Sequence, residues 1–214
     1  MNREFLIFCY TVSSLFINAQ NASFVVNGDA SDNNITDENG NVNCNCFQLT
    51  PNSANKVGSV WNNNKIDLSS DITLEFKLYL GNNDGGADGV AFAFQQTNSN
   101  IGSSGEGMGM GGVSPSLIVF IDTYDNGNND PSYDHVSINK NGDFLHGSSN
   151  ELASYTPVSG GVNLEDGNWR NIKINWDVSS LTFSFYYVNM LNPILTYTGD
   201  VVNNIFAGDP MVYW

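Results

Sequence analysis

Leu117-Ile-Val-Phe-Ile-Asp122-Thr-Tyr-Asp125-Asn-Gly-Asn-Asn-Asp130-Pro-Ser-Tyr-Asp134-His-Val-Ser-Ile138 reads as two strands around a polar loop. Five apolar residues open it in the manner of a buried strand, and Val136 and Ile138 re-enter one after the loop. Four carboxylates crowd between them, at Asp122, Asp125, Asp130 and Asp134. No Lys or Arg lies between Lys77 and Lys140 to neutralise them. Like charges a few Å apart repel, so a folded loop of this kind needs protonation, wide spacing or a cation. Carboxylates, the amide of Asn126 and a main-chain carbonyl form the oxygen set that calcium takes, while the nitrogen of His135 suits a transition metal. An EF-hand does not fit. With Asp122 as its first position, Tyr124 would be third and Tyr133 twelfth, where a side-chain oxygen and a bidentate Glu are required, and the flanks are strands. Composition alone leaves a solvated acidic turn without metal equally open.

Outward from this stretch the pattern is that of strands. Ile72, Leu74, Phe76, Leu78 and Leu80 alternate with mostly polar neighbours, which predicts a half-buried strand. Residues 168–177 and 181–188 predict a hairpin that pairs Ile172, Ile174 and Trp176 with Leu181, Phe183, Phe185 and Tyr187. Shorter strands are expected at 23–30, 47–51, 57–61, 66–68 and 194–197. Met211 to Trp214 reads as the opening of a strand cut short. Many short strands, turn residues between them and no long helical period predict an antiparallel β-sandwich.

Before the acidic stretch, Gly81-Asn-Asn-Asp-Gly-Gly-Ala-Asp88-Gly hands Asp88 to a buried strand in which Phe92 and Phe94 share a face. Taken alone, Asp88 could be a plain turn aspartate. The glycine-rich run 101–113 lacks the Gly-Lys-Ser/Thr ending of a phosphate loop. His146, among Gly and Ser, is read as a surface loop residue.

Across the 214 residues the net charge is −15 and the pI about 4.1, which argues against nucleic acid as a partner, since phosphate contacts need Lys and Arg. Residues 1–19 carry Arg3, an interrupted apolar run and a small residue at Ala19, the order of a secretory signal peptide; a buried first strand is the other reading. No stretch is long enough for a transmembrane helix, so the expectation is a secreted or cell-surface, extracellular protein. Cys9 would leave with the leader, and Cys44 and Cys46 stand too close together for an easy mutual bridge.

Asp122-Thr-Tyr-x-Asn126, followed by Asp130-Pro-Ser-Tyr-x-His135-Val-x-Ile, resembles the metal-binding loop of the legume-type (L-type) lectins, particularly their bacterial relatives. Ala87-Asp88-Gly89-Val-Ala-Phe resembles the same family, whose Asp at this place follows a cis peptide and bonds sugar hydroxyls. The resemblance covers roughly residues 23–214, with dense motifs at 87–94 and 107–138. It implies a concanavalin-like jelly-roll sandwich at 20–214, C-terminally incomplete. It also implies a metal set of Asp122 and Asp130 bridging two ions, the Tyr124 carbonyl and Asn126 completing Ca2+, and His135 on a transition metal such as Mn2+. The family's legume members place a Glu two residues before the first Asp, where this chain has Phe120. For carbohydrate the resemblance implies Asp88, a backbone N–H at Gly109, Asn126 and the Tyr124 ring.

The resulting expectation is calcium-dependent, non-catalytic binding of glycans or glycoconjugates. A secreted jelly-roll glycoside hydrolase would need paired carboxyls on one short strand, and Glu75, Glu106, Glu151 and Glu165 stand isolated in sequence. A calcium-braced adhesin module without sugar binding is the third reading.

Overall fold

The computed structural model describes residues 6–11 by their backbone, and residues 24–33, 35–42, 46–127, 129–158 and 163–214 in full. Two antiparallel sheets face each other. The larger has six strands in the order Leu195–Thr198 (β13), Thr182–Tyr187 (β12), Arg170–Asp177 (β11), Ile72–Tyr79 (β6), Leu6–Thr11 (β1) and Cys46–Thr50 (β3). The smaller has four, Glu151–Pro157 (β10), His135–Lys140 (β9), Ser116–Asp122 (β8) and Gly89–Gln95 (β7). Two short ribbons flank them: Phe24–Gly28 (β2) with Gly58–Asn62 (β4), and Ile66–Asp67 (β5) with Met211–Val212 (β14). Among the described residues the one helix is a single turn, Val201–Asn204 (α1), capped by the Asp200 carboxylate accepting from the Asn203 N–H.

Period-two alternation builds the core. Ile72, Leu74, Phe76 and Leu78 on β6 turn inward, as do Ile172, Ile174 and Trp176 on β11 and Phe183, Phe185 and Tyr187 on β12. From the smaller sheet, Val90, Phe94, Leu117, Val119, Ile121, Val136 and Ile138 meet them. Phe76 stacks on Phe92 at 5.1 Å between ring centroids, and Phe94 meets Phe183 edge-on at 5.9 Å. The expected hairpin pairs as predicted, Ile174 opposite Phe185 and Trp176 opposite Phe183. Leu181 does not join it: it lies in the turn at a φ of +52° and is exposed.

β8 is buried on both faces. Leu117, Val119 and Ile121 belong to the core between the sheets, whereas Ile118 and Phe120 point outward into a second cluster with Trp61, Met110 and Phe144. The glycine-rich run lies over this outer face. At Gly107 a Cβ would stand 2.8 Å from the Gly111 Cα and 3.3 Å from the Phe144 ring, so glycine there permits the close approach of the Gly111 backbone beside Phe144.

Leu6–Thr11 falls in the stretch that the sequence offers as leader or as first strand. On the full chain it pairs with both β6 and β3. Cys46 is buried and disulfide-bonded, and its partner lies among residues whose side chains are not described. Two elements have no counterpart in the sequence reading: β10 and α1.

Phe185 is fully buried at the centre of this packing. Phe185→Ala is expected to lower unfolding stability by about 3–5 kcal/mol, from lost transfer energy plus the cavity left behind, as read from the urea midpoint at unchanged m-value.

Candidate metal and carbohydrate site

One row of the smaller sheet assembles the site. Gly89 pairs with Asp122 across β7 and β8, and Asp122 pairs with His135 across β8 and β9. Asp88, Asp122 and His135 therefore emerge at the same end of three neighbouring strands. Gly89 permits the corner: at its φ of +128°, a Cβ would stand 2.2 Å from the Ile121 carbonyl oxygen. The Ala87–Asp88 peptide is cis, and the Asp88 carbonyl accepts from the Thr123 N–H at 3.2 Å.

The loop after β8 is folded by its own carboxylates. Asp122 Oδ1 accepts from the Tyr124 N–H at 3.0 Å, Asp130 Oδ2 from the Asn126 N–H at 2.7 Å, and Asp125 Oδ1 from the Gly127 N–H at 2.8 Å. Asn126 Nδ2 donates to Asp88 Oδ1 at 3.1 Å. A carboxylate only accepts, so this bond fixes the amide and turns Asn126 Oδ1 the other way, where it is buried without a protein donor, as is Asp130 Oδ1. A small cavity of about 30 Å³ lies among Asp122, Asn126, Asp130, His146 and Glu106.

The four acids of the loop do not share one space. Asp122 and Asp130 converge, joined from another loop by Asp88. Asp125 is exposed and caps its own turn. Asp134 turns aside to accept from the Leu164 N–H and lies against the buried Glu165 carboxyl. Burial, with Glu165 beside it, pushes Asp134 up to about 7. Burial likewise pushes Asp122 up to about 8, with repulsion from Asp130, Asp88 and Asp134 added. His135 is held below the ordinary histidine range, chiefly by burial.

His146 is not a surface loop residue. Its side chain is 10% exposed, and its Nε2 stands 2.9 Å from His135 Nε2 and 3.3 Å from Asp130 Oδ1. His135 Nε2 is 3.5 Å from the same oxygen. Behind each ring stands an acceptor: the Tyr133 carbonyl 2.9 Å from His135 Nδ1, and Glu151 Oε1 3.3 Å from His146 Nδ1. Of the expected sugar contacts, Asp88 and Asn126 are joined directly. Gly109 sits in a left-handed turn at a φ of +82° and lines, with Asp88, a cavity of about 380 Å³ that also reaches Phe24, Phe76 and Trp214. The Tyr124 ring is 44% exposed.

A family model for the legume lectin beta-barrel domain matches residues 17–214. The chain belongs to the legume lectin family. Over 160 residues this legume lectin domain is 28% identical to the pesticidal crystal protein Cry22Aa of Bacillus thuringiensis, a match covering 64% of this chain and only 21% of that protein's length. Among solved structures, peanut lectin with a nine-residue peptide superposes with a TM-score of 0.66 at 21% identity, covering 97% of this chain and 87% of that one. The metal-free form of lectin I-B4 from Griffonia simplicifolia gives 0.64 at 20% identity, covering 92% and 84%. The Bauhinia forficata lectin in complex with GalNAc gives 0.63 at 18%, covering 89% and 83%. These likenesses establish the sandwich.

Legume lectins generally bind Ca2+ and Mn2+; the oxygen donors of the loop suit Ca2+, and the imidazoles beside them a transition metal. Buried acceptors converge with no Lys or Arg among them, two of them lack a protein donor, and a small cavity lies between them. Sequence reasoning missed His146, Glu151 and Glu106. His146 left no signal in spacing, because it reaches the site by a loop that doubles back across the sheet.

In metal-free protein the sign of the pH dependence follows from Asp122. Folded, its carboxyl keeps a proton up to about pH 8, whereas the unfolded chain releases it near the ordinary 3.8. The folded state then binds more protons across that window. Stability is full below about pH 4 and falls as pH rises, by at most about 1.4 kcal/mol per unit for one group. The urea midpoint in chelator is expected to drop from pH 5 to pH 8, and less steeply in Asp122→Asn, where the Asp134 share remains, opposed by His135, whose lowered pKa makes stability rise with pH up to the ordinary histidine range. A midpoint rising over this range would contradict the assignment.

Proposed function

We propose that this chain is a secreted, non-catalytic domain that binds carbohydrate in a calcium-dependent manner. The observation that carries the reading is the placement of Asn126, whose amide nitrogen donates to Asp88 while its oxygen is buried without a protein donor and its side chain lines the same small cavity as Asp122 and Asp130. One residue thereby ties the sugar-facing acid to the metal-facing acids.

Asp122, Asn126, Asp130 and the Tyr124 carbonyl would hold calcium, and Asp130 and His135 a neighbouring transition metal. Bound calcium supplies the positive charge that lets these carboxylates remain ionised together. The chain's own groups do the recognition. Asp88 accepts from paired sugar hydroxyls, the Asn126 amide and the Gly109 N–H donate, and the exposed Tyr124 ring offers an apolar face to the C–H side of a sugar. A loop already ordered by its ion loses less entropy when the saccharide arrives.

Export rests on the leader at 1–19. Cleavage after Ala19 would withdraw β1 and free the edges of β6 and β3, so the intact mass of the exported protein tells which form is mature.

On a glycan array, with N-acetylgalactosamine among the first probes because the Bauhinia lectin carries it, signal is expected with calcium and none with chelator. Asp88→Ala is expected to lose glycan binding while keeping the melting shift that calcium produces. Signal indifferent to chelator would end the calcium-dependent reading. A calcium shift with no glycan bound would leave a braced adhesin module instead.

A further inference from the structure

Three lone pairs meet at one point beside the calcium loop. The Tyr133 carbonyl can only accept, so His135 carries its hydrogen on Nδ1 and presents a bare Nε2. Glu151 has the same effect on His146: its Oε1 faces His146 Nδ1, and its side chain is 5% exposed and held by the N–H groups of Gly147 and Tyr155. The two Nε2 atoms then confront each other at 2.9 Å with Asp130 Oδ1 at 3.3 and 3.5 Å. Asp130 Oδ1 is buried and has no protein donor. Three acceptors with no hydrogen between them repel one another unless a cation sits among them.

The separations match such an ion. Ligand atoms about 2.0–2.1 Å from one tetrahedral centre lie about 3.3 Å apart. A single proton could bridge the two nitrogens but would leave Asp130 Oδ1 unsatisfied. An ion serves all three.

We infer that His146, with His135 and Asp130, forms a transition-metal site selective for zinc-class ions, in which Glu151 orients His146 as a positioning residue. Two imidazoles and one carboxylate favour Zn2+, Co2+ or Ni2+ over Mn2+ and exclude Ca2+, since nitrogen donors bind the later ions more strongly. The inference rests on the metal-loop half of the proposed function and not on sugar recognition.

Zn2+, Co2+ and Mn2+ titrated separately into the calcium-loaded full chain test it. The wild type should take one Zn2+ per chain at least ~100-fold more tightly than Mn2+, and Co2+ should give visible ligand-field bands. His146→Ala and His146→Gln should lose the bands and weaken Zn2+ binding at least ~100-fold, and Glu151→Gln should weaken it about 10–100-fold. The calcium melting shift should stay in place throughout. X-ray absorption on the zinc-loaded wild type should count two imidazoles, a reading that needs no variant to fold. One imidazole, unchanged zinc affinity in both His146 variants, or Mn2+ bound as tightly as Zn2+ would overturn the site. Zinc bound through His146 on a chain that captures no glycan would end the lectin reading and leave this one standing.

Discussion

The antiparallel register of β7, β8 and β9 is the constraint on which the site depends. Ladder hydrogen bonds fix which residues stand opposite one another, and a slip of one residue would send every side chain of a strand to the other face. The row Gly89, Asp122, His135 sets an acid, an imidazole and the carboxylate preceding Gly89 at one sheet end. That register is held by apolar burial on both faces of β8, by Leu117, Val119 and Ile121 toward the larger sheet and by Ile118 and Phe120 beneath the glycine-rich loop. The chemistry is polar, but its geometry is set by hydrophobic packing.

Placing carboxylates at such a spot is electrostatically unfavourable, and the chain resolves the conflict differently at two places a few residues apart. Asp134 and Glu165 are buried against each other, and the Leu164 N–H donates to the Asp134 carboxylate; a shared proton between two carboxyls satisfies such a pair. At Asp122 and Asp130 the backbone donors are used up by one oxygen of each side chain, and no second carboxyl is positioned to share a proton with Asp130 Oδ1. The first arrangement is complete within the protein. The second has acceptor capacity left over, which is what distinguishes a ligand set from a structural acid pair.

Much of the sandwich was legible because inward-facing residues alternate on β6 and β11, and one period of two identifies a half-buried strand. β10 was not, since Glu151-Leu-Ala-Ser-Tyr-Thr-Pro157 is half exposed, irregular in its pairing with β9 and without alternation. Within the candidate site, Asp88, Asp122 and His135 stand at strand ends and Asn126 and Asp130 in the loop between β8 and β9, each with a recognisable neighbourhood in the sequence. Crowding of the acids was misjudged: spacing along a loop says nothing about which backbone N–H each carboxylate will cap, and that choice sent Asp125 and Asp134 away. Gly109 of the glycine-rich run lines a cavity with Asp88, while Gly107 lets the Gly111 backbone close up beside the Phe144 ring.

That ring links the apolar and polar halves of the site. β9 carries the chain away from His135, and the connection to β10 would leave His146 at the wrong end of the sheet if it were a tight turn. Phe144 draws it back by packing onto the outer cluster of Met110, Ile118 and Phe120. Phe120 lies two residues before Asp122, on the same face of β8. Its ring belongs to the apolar surface on which Phe144 sits, and Phe144 stands two residues before His146. Apolar packing on the outer face of β8 thus helps to anchor the loop that brings His146 beside His135 and Asp130, and the polar cluster follows from that packing.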